Sequence, residues 1–326
     1  MAAYTPDDRA WMAATARLAA RARPLSRPNP GVAALLVRKE RVIARGWTQE
    51  GGRPHAEAEA LAGYGAGEAK GATLYVTLEP CAHDSDRGPA CAELLAKARP
   101  SRVVIGQLDP DPRTSGKGMA LLKRAGITAE LLDDPASAAS LRGYLSNQRA
   151  GRPFVTLKLA VSLDGCIALA DGTSQWITGE AARAHVHAQR ARNDAILVGG
   201  ATWRADRPRL DVRLPGLEDR SPQRFLLTRG VKPDGVSIIN RPEQIGELDG
   251  VQNLYIEGGA ETAASFLKLD LVDELHIYTA PILIGDGMRS IGALGLPNLT
   301  SAHDRWQLSE RRQLGSDAFT AYLRTR

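Results

Sequence analysis

A chain of 326 residues, 43% apolar and 24% charged, is too long for one ordinary core and fits two domains of roughly 150 residues each. No apolar run approaches the roughly 20 residues of a bilayer-spanning helix, and the amino terminus lacks the basic, apolar and cleavage-site succession of a leader, so a cytoplasmic protein without membrane contact is expected. The net charge of +5 comes from dispersed Lys and Arg with no compact basic tract, which argues against nucleic acid and leaves phosphate-bearing small molecules open.

Thr5-Pro6-Asp7-Asp8 is a helix start, with a hydroxyl cap, Pro at the first position and acids where the helix dipole favours them. The helix should run to about Arg21, burying Trp11, Thr15, Leu18 and Ala22. The turn-rich Arg27-Pro28-Asn29-Pro30-Gly31 leads into a buried strand, Val32 to Val37. Asn29 is held between two prolines; its amide either closes the turn or faces a ligand, and by itself the segment favours the turn. A second strand, Arg41 to Trp47, follows, then a Gly-rich loop and a helix whose first turn holds His55 and Glu57. Strand Thr73 to Leu78 ends at Glu79-Pro80-Cys81, and Cys91 opens a helix to Ala98. Strand Arg102 to Gln107, helix Gly118 to Ala125 and strand Ile127 to Leu132 continue an alternation that implies a largely parallel sheet covered by helices.

Helix Ala136 to Gln148 ends at the polar Arg149 to Pro153 segment, placing domains at 1–148 and 153–326. Beyond it come strand Phe154 to Ala160, a hairpin turn at Asp164-Gly165, strand Cys166 to Ala170, helix Glu180 to Arg192 and strand Ala195 to Val198. Strands are further expected at Arg224 to Leu227, Leu254 to Ile256 and Glu274 to Thr279, the last two flanking a helix that starts after Gly258-Gly259. That glycine pair suits a phosphate at a helix end or is simply a tight turn. Trp176 either stacks on a flat ring or fills core, and Cys166 packs as a small hydrophobe.

Three cysteines cannot build a disulfide framework, and an odd count points to metal or packing. His55, Cys81 and Cys91 form the three-ligand set that leaves a catalytic zinc one position for water. Glu57, two residues after His55, can carry a proton from that water to a leaving amine, as in nucleobase deaminases. His83 is the nearby residue that would turn the site into a closed structural one.

These residues resemble the cytidine-deaminase-like enzymes. Asn29-Pro30-Gly31-Val32, Thr77-Leu78-Glu79-Pro80-Cys81-Ala82-His83 and the nine residues between Cys81 and Cys91 are similar to the deaminase half of the RibD family of bifunctional riboflavin-biosynthesis enzymes. Lys158 to Gly165, Ser174 to Gly179, Asp194 to Gly199 and Glu257-Gly258-Gly259 resemble that family's reductase half. The resemblance implies a cytidine-deaminase-like three-layer α/β/α domain followed by a dihydrofolate-reductase-like α/β domain. It implies zinc at His55, Cys81 and Cys91, Glu57 as proton shuttle, and Asn29, His83 and Arg87 at a phosphorylated pyrimidine. In the second half it implies NADPH contacts at Val161, Trp176, Thr202, Asp206, Thr228 and the loop Gly259, Ala260, Glu261, Thr262, Ala263, Ala264 and Ser265. Substrate contacts would be Ser174, Arg190, Leu210, Arg213 and Glu257, with Arg229 near the cofactor's 2′-phosphate. A homo-oligomer, dimer or tetramer, is also implied. Two departures stand out: the loop between the cysteines is one residue longer than usual, and Asp206-Arg207-Pro208 has Arg where the family has a second acid. The alternatives are a deaminase whose reductase half is impaired or repurposed and, from another class, an RNA-binding or RNA-modifying protein.

Overall fold

The computed structural model describes residues 6–83 and 87–326; the anticipated Thr5 cap and residues 84–86 of the loop between the cysteines lie outside them. The chain divides into two compact units, Met1–Gly151 and Arg152–Arg326.

In the first unit, strands β1 (Ala33–Arg38), β2 (Arg41–Trp47), β3 (Thr73–Leu78), β4 (Arg102–Gln107) and β5 (Thr128–Leu131) lie in the order β2-β1-β3-β4-β5. β1 runs antiparallel to both β2 and β3, and only β3, β4 and β5 are mutually parallel. The sheet is therefore mixed, not largely parallel. The cause is local: Lys39 and Glu40, at φ 48° and 58°, close a tight hairpin that leaves no room for a crossover helix.

Successive strand residues point to opposite faces, and both faces are covered. Ala34, Leu36, Leu74, Val76, Val103 and Ile105 pack with α2 (Ala56–Ala60), α3 (Cys91–Ala98) and α4 (Lys117–Arg124). Leu35, Val37, Tyr75 and Val104 meet Met12 of α1 (Pro6–Leu18) on the other side. The result is a three-layer α/β/α unit. Asp8, in the first turn of α1, does more than meet the helix dipole. It is buried, accepts the Tyr75 hydroxyl at 2.8 Å and pairs with Arg102 at 2.7 Å, tying α1 to β3 and β4.

The single helix expected over 136–148 is two, α5 (Pro135–Ser140) and α6 (Arg142–Ala150), broken at Leu141. Serines explain the break. Ser140 Oγ donates to the Ser137 carbonyl at 2.8 Å, a local bond that competes with helix continuation.

The second unit is an eight-stranded sheet of β6 (Phe154–Val161), β8 (Ala195–Gly199), β9 (Gln223–Leu227), β10 (Ser237–Ile239), β11 (Asn253–Ile256), β12 (Glu274–Thr279), β14 (Trp306–Leu314) and β15 (Asp317–Arg324), in the order β10-β9-β8-β11-β6-β12-β15-β14. β10 through β12 in that order are parallel, and β15 and β14 are antiparallel additions. Helix α9 (Ala260–Lys268) contributes Ala263 and Phe266 to one face, and α7 (Glu180–Arg190) contributes Ala182 and Val186 to the other. A further helix, α8 (Gly200–Asp206), leaves the end of β8.

The turn expected at Asp164-Gly165 is present, with Gly165 N–H donating to the Ser162 carbonyl at 3.0 Å and Ser162 N–H to the Cys166 carbonyl at 2.9 Å, but beyond it β7 (Cys166–Ala168) pairs with β13 (Met288–Arg289) in a separate two-stranded sheet. The Asp164 carboxylate accepts the Ser162 hydroxyl at 2.5 Å and the Gly285 amide at 2.7 Å, tying the turn to the segment that leads into β13. Those bonds hold the Asp164 carboxyl at about 2.

Candidate active sites

The first site is assembled at the carboxyl ends of β3 and β4 and the amino ends of α2 and α3, all on one face of the sheet. His55 is the residue before α2, with φ −71° and ψ 162°, and Cys91 opens α3. Gly46 makes the first placement possible: a Cβ there would lie 2.2 Å from the Ala56 carbonyl oxygen, so only glycine lets α2 lie directly on β2. Cys81 follows β3, and its sulfur accepts the Cys91 N–H at 3.3 Å.

His55 Nδ1 lies 3.6 Å from Cys81 Sγ and 3.4 Å from Cys91 Sγ. Tetrahedral bonds of roughly 2.0 to 2.3 Å put ligand atoms about 3.5 Å apart, so the triad fits zinc without rearrangement. Among the described residues it is a cluster of three, its donor atoms within 4.8 Å of one another. His83 does not close it; its Nδ1 faces the Thr114 hydroxyl at 3.4 Å and its ring lines the cavity. Cys91 and His55 favour the Cys81 thiolate and lower its pKa, while the neighbouring Cys81 and burial push the Cys91 thiol up.

Glu57 is buried, and burial, opposed by His55, raises its carboxyl to about 7. Asn29 is no mere turn residue. Its Nδ2 donates to the Gly52 carbonyl at 3.0 Å and lies 3.2 Å from His55 Nε2, the ring nitrogen turned away from the sulfurs. Arg87 Nη2 donates to the Gly51 carbonyl at 2.6 Å.

All of these except Cys91 line one cavity of about 330 Å³ with Arg53, Glu79, Asp109, Asp111, Arg113 and Tyr144. The sequence reading missed this second group. Glu79 accepts the Gly116 and Met119 amides at 2.9 and 3.0 Å, anchoring α4 to the segment that carries Cys81. Tyr144 donates to Asp109 at 2.6 Å, and burial raises the Asp109 carboxyl. The signal available was topological: Asp109 follows a parallel strand, and ligands gather at the carboxyl ends of such strands.

The second site is a cavity of about 440 Å³ at the ends of β8 and β11, lined by Ser174, Trp176, Thr202, Asp206, Leu210, Arg213, Glu257 and Gly259 together with Lys158, Arg183, His187 and Arg190. Lys158, Arg183 and His187 were not anticipated as site residues. Trp176 is 66% exposed with Arg183 stacked 4.9 Å from its ring centroid, so it fills no core. Arg190 grips Glu257 through Nε–Oε1 at 2.6 Å and Nη2–Oε2 at 3.0 Å, and donates through Nη1 to the Asp211 carbonyl. Lys158 Nζ lies 3.7 Å from the same carboxylate. Burial alone would raise Glu257, but Arg190 and Lys158 outweigh it and hold the carboxyl at about 2. Arg190 therefore has its fork committed inside the protein, whereas the Arg213 side chain, 3.4 Å from Asp211 through Nε, is 52% exposed.

The cofactor residues are only partly brought together. Thr202 and Gly259 face one another, a Gly259 Cβ position lying 3.2 Å from Thr202 Oγ1, and Thr228 lies beside Gly200. Val161, Thr262, Ala263 and Ala264 are buried in the core, and Ser265 turns its hydroxyl to the Thr262 carbonyl. Their side chains pack the sheet, while Ala260 and Glu261 open α9 beside Gly259, which faces Thr202. Arg207 caps α8 in a left-handed conformation and sits on the cavity wall.

Residues 5–107 match the cytidine and deoxycytidylate deaminase zinc-binding region, and residues 153–245 and 243–320 match the RibD C-terminal domain. The riboflavin biosynthesis protein RibD of Haemophilus influenzae is 37% identical over 99% of this chain and 99% of its own. That of Escherichia coli is 35% identical over 95% of this chain and 98% of its own. The solved structure of Acinetobacter baumannii RibD superposes with a TM-score of 0.85 at 34% identity, covering 98% of this chain and 99% of that one.

Proposed function

The chain belongs to the RibD family of bifunctional deaminase and reductase enzymes of riboflavin biosynthesis, and from that premise we propose a division of labour: unit 1 deaminates a phosphorylated pyrimidine and unit 2 reduces the product. The observation that carries the reading is the His55, Cys81 and Cys91 triad, with His55, Cys81 and Glu57 on the wall of one cavity. The substrate would be 2,5-diamino-6-ribosylamino-4(3H)-pyrimidinone 5′-phosphate, which loses its C2 amine as ammonia.

His55, Cys81 and Cys91 would hold zinc, which when bound supplies a water activated near neutral pH. Glu57, poised near neutrality by its burial, takes the proton that this water gives up and delivers it to the departing nitrogen. Asn29, its amide held by the Gly52 carbonyl, would face the substrate with His83 and Arg87.

In unit 2, Thr202, Asp206, Thr228, Trp176 and the Gly259 end of α9 would hold NADPH, which supplies hydride to the sugar C1′. Support comes from the placement of Thr202 and Gly259 at the ends of parallel strands, where dinucleotides bind. Arg213, with its exposed side chain, would take the substrate phosphate. Arg190, Lys158 and Glu257 form the charged floor against which Ser174 and Leu210 fix the sugar. Asp206 would serve without a second acid beside it, Arg207 lining the same wall. We take the enzyme to be a cytoplasmic homo-oligomer that binds small molecules and not nucleic acid, for which the dispersed Lys and Arg are the support; no described helix is long and apolar enough to cross a membrane.

The test is ammonia release and NADPH oxidation by one purified preparation, with and without a chelator. Ammonia release that stops with the chelator, beside NADPH oxidation that continues on the deaminated intermediate, is expected. No NADPH oxidation beside intact deamination would replace this reading of unit 2 with an impaired or repurposed reductase.

A further inference from the structure

Beneath the Arg190–Glu257 pair a file of polar groups crosses the core of unit 2, and no step of the reduction uses it. Gln189 Nε2 lies 3.1 Å from His185 Nε2, and His185 Nδ1 lies 2.9 Å from the Tyr278 hydroxyl. Tyr278 and Tyr255 share a hydrogen bond. The Tyr255 hydroxyl is 3.5 Å from His276 Nδ1, and His276 Nε2 is 3.1 Å from Glu274, which also accepts from Thr156 at 3.1 Å. Tyr255, Tyr278, His276 and Glu274 are all buried.

Donor counting fixes the helix end of the file. The Gln189 amide donates to His185 Nε2, so the His185 proton lies on Nδ1 and is donated to the Tyr278 hydroxyl. At the other end the Glu274 carboxylate can only accept, so His276 Nε2 carries a proton. In this arrangement His185 is neutral. Burial supports this, lowering the His185 pKa to about 4.

The consequence falls on α7. Besides the His185 ring, which packs edge-on against Phe319 at 4.7 Å between centroids, α7 meets the sheet through Ala182 and Val186, small surfaces that specify register weakly, and through Asp317, which accepts the Gly179 amide at 2.7 Å just before the helix. Arg190 ends the helix. A slip of one residue, about 1.5 Å, would break the two-pronged contact with Glu257, which depends on coplanar forks. A directional bond in the middle of the helix prevents that slip.

We propose that His185 is a positioning residue of the reductase site: its Nδ1–H bond to Tyr278 sets the register of α7 and so delivers Arg190 to Glu257 for substrate binding. This rests on unit 2 reducing the deaminated sugar phosphate, and wild-type NADPH oxidation with that substrate checks the premise separately. The variants are His185→Leu, which fills the space without a donor, Tyr278→Phe, which removes the acceptor, and His185→Asn, whose amide nitrogen stands where Nδ1 does. His185→Leu and Tyr278→Phe should raise the KM for the deaminated substrate about tenfold or more, with kcat within about threefold and KM for NADPH unchanged. Unchanged KM for NADPH shows that unit 2 is folded, and ammonia release by the same preparations should match wild type. His185→Asn should return KM toward wild type. A wild-type KM in His185→Leu, or His185→Asn no better than His185→Leu, would overturn the assignment; the second outcome would mean that only packing matters.

Discussion

Arg190 and Glu257 meet as two parallel hydrogen bonds of 2.6 and 3.0 Å between groups only 10% and 12% exposed. Glu257 is held at about 2 against an ordinary 4.5. A carboxylate with a depressed native pKa contributes stability that is complete above its unfolded pKa and is lost as pH falls through the folded one. Unit 2 should therefore lose on the order of 3 kcal/mol between about pH 4.5 and 2 from this group alone. Unfolding of wild type and Glu257→Gln compared across that window checks it: the variant, less stable at pH 7 for leaving Arg190 unpaired, should show a shallower acid dependence. Parallel curves would remove Glu257 as the source.

Glu57→Gln preserves shape and burial but cannot pass a proton. Ammonia release should fall by about 100-fold or more, with zinc content and NADPH oxidation unchanged. Because the two activities share one chain, intact reduction excludes general misfolding as the cause, and near-normal deamination would assign the proton transfer elsewhere.

Cys91→Ser removes one sulfur from a triad that is otherwise spaced for tetrahedral zinc. Metal content should drop well below one per chain, and deamination should fall with it while reduction persists. Zinc retained at full stoichiometry would mean that the longer segment between Cys81 and Cys91 carries Cys91 out of the metal site.

The metal triad was legible because His55, Cys81 and Cys91 are rare residues placed at element ends, where short-range rules fix direction. The bounds of β3 and β4, Thr73–Leu78 and Arg102–Gln107, were legible too, because their apolar runs admit little else. What escaped depended on distance. Asp109 and Tyr144 become site residues only when α6 folds back over the end of β4, and neither carries a local mark. β14 was invisible because it is an edge strand whose Ser309 to Gln313 stretch carries charge on both faces, a protection against pairing that erases the alternation strands are recognised by. In unit 2 the cofactor loop that the resemblance implies, Gly259 to Ser265, falls largely within α9, where Thr262 to Ala264 turn their side chains inward.

Gly118 supplies a final test of how α4 holds the metal site. A Cβ there would stand 2.0 Å from the Pro80 carbonyl oxygen and 3.2 Å from the Glu79 side chain. Neither neighbour can yield cheaply, since one is backbone and the other accepts the Gly116 and Met119 amides. Gly118→Ala must therefore push the Glu79-Pro80-Cys81 segment away from α4, although alanine suits a helix better than glycine. Overpacking of this kind costs about 1 to 3 kcal/mol, and here the displaced atom next in line is a metal ligand. The expected result is weaker zinc retention during dialysis against a chelator and slower ammonia release, with reduction untouched. If the alanine variant held zinc as tightly as wild type, the contact between α4 and Pro80 would be padding around the site and not the brace that fixes Cys81.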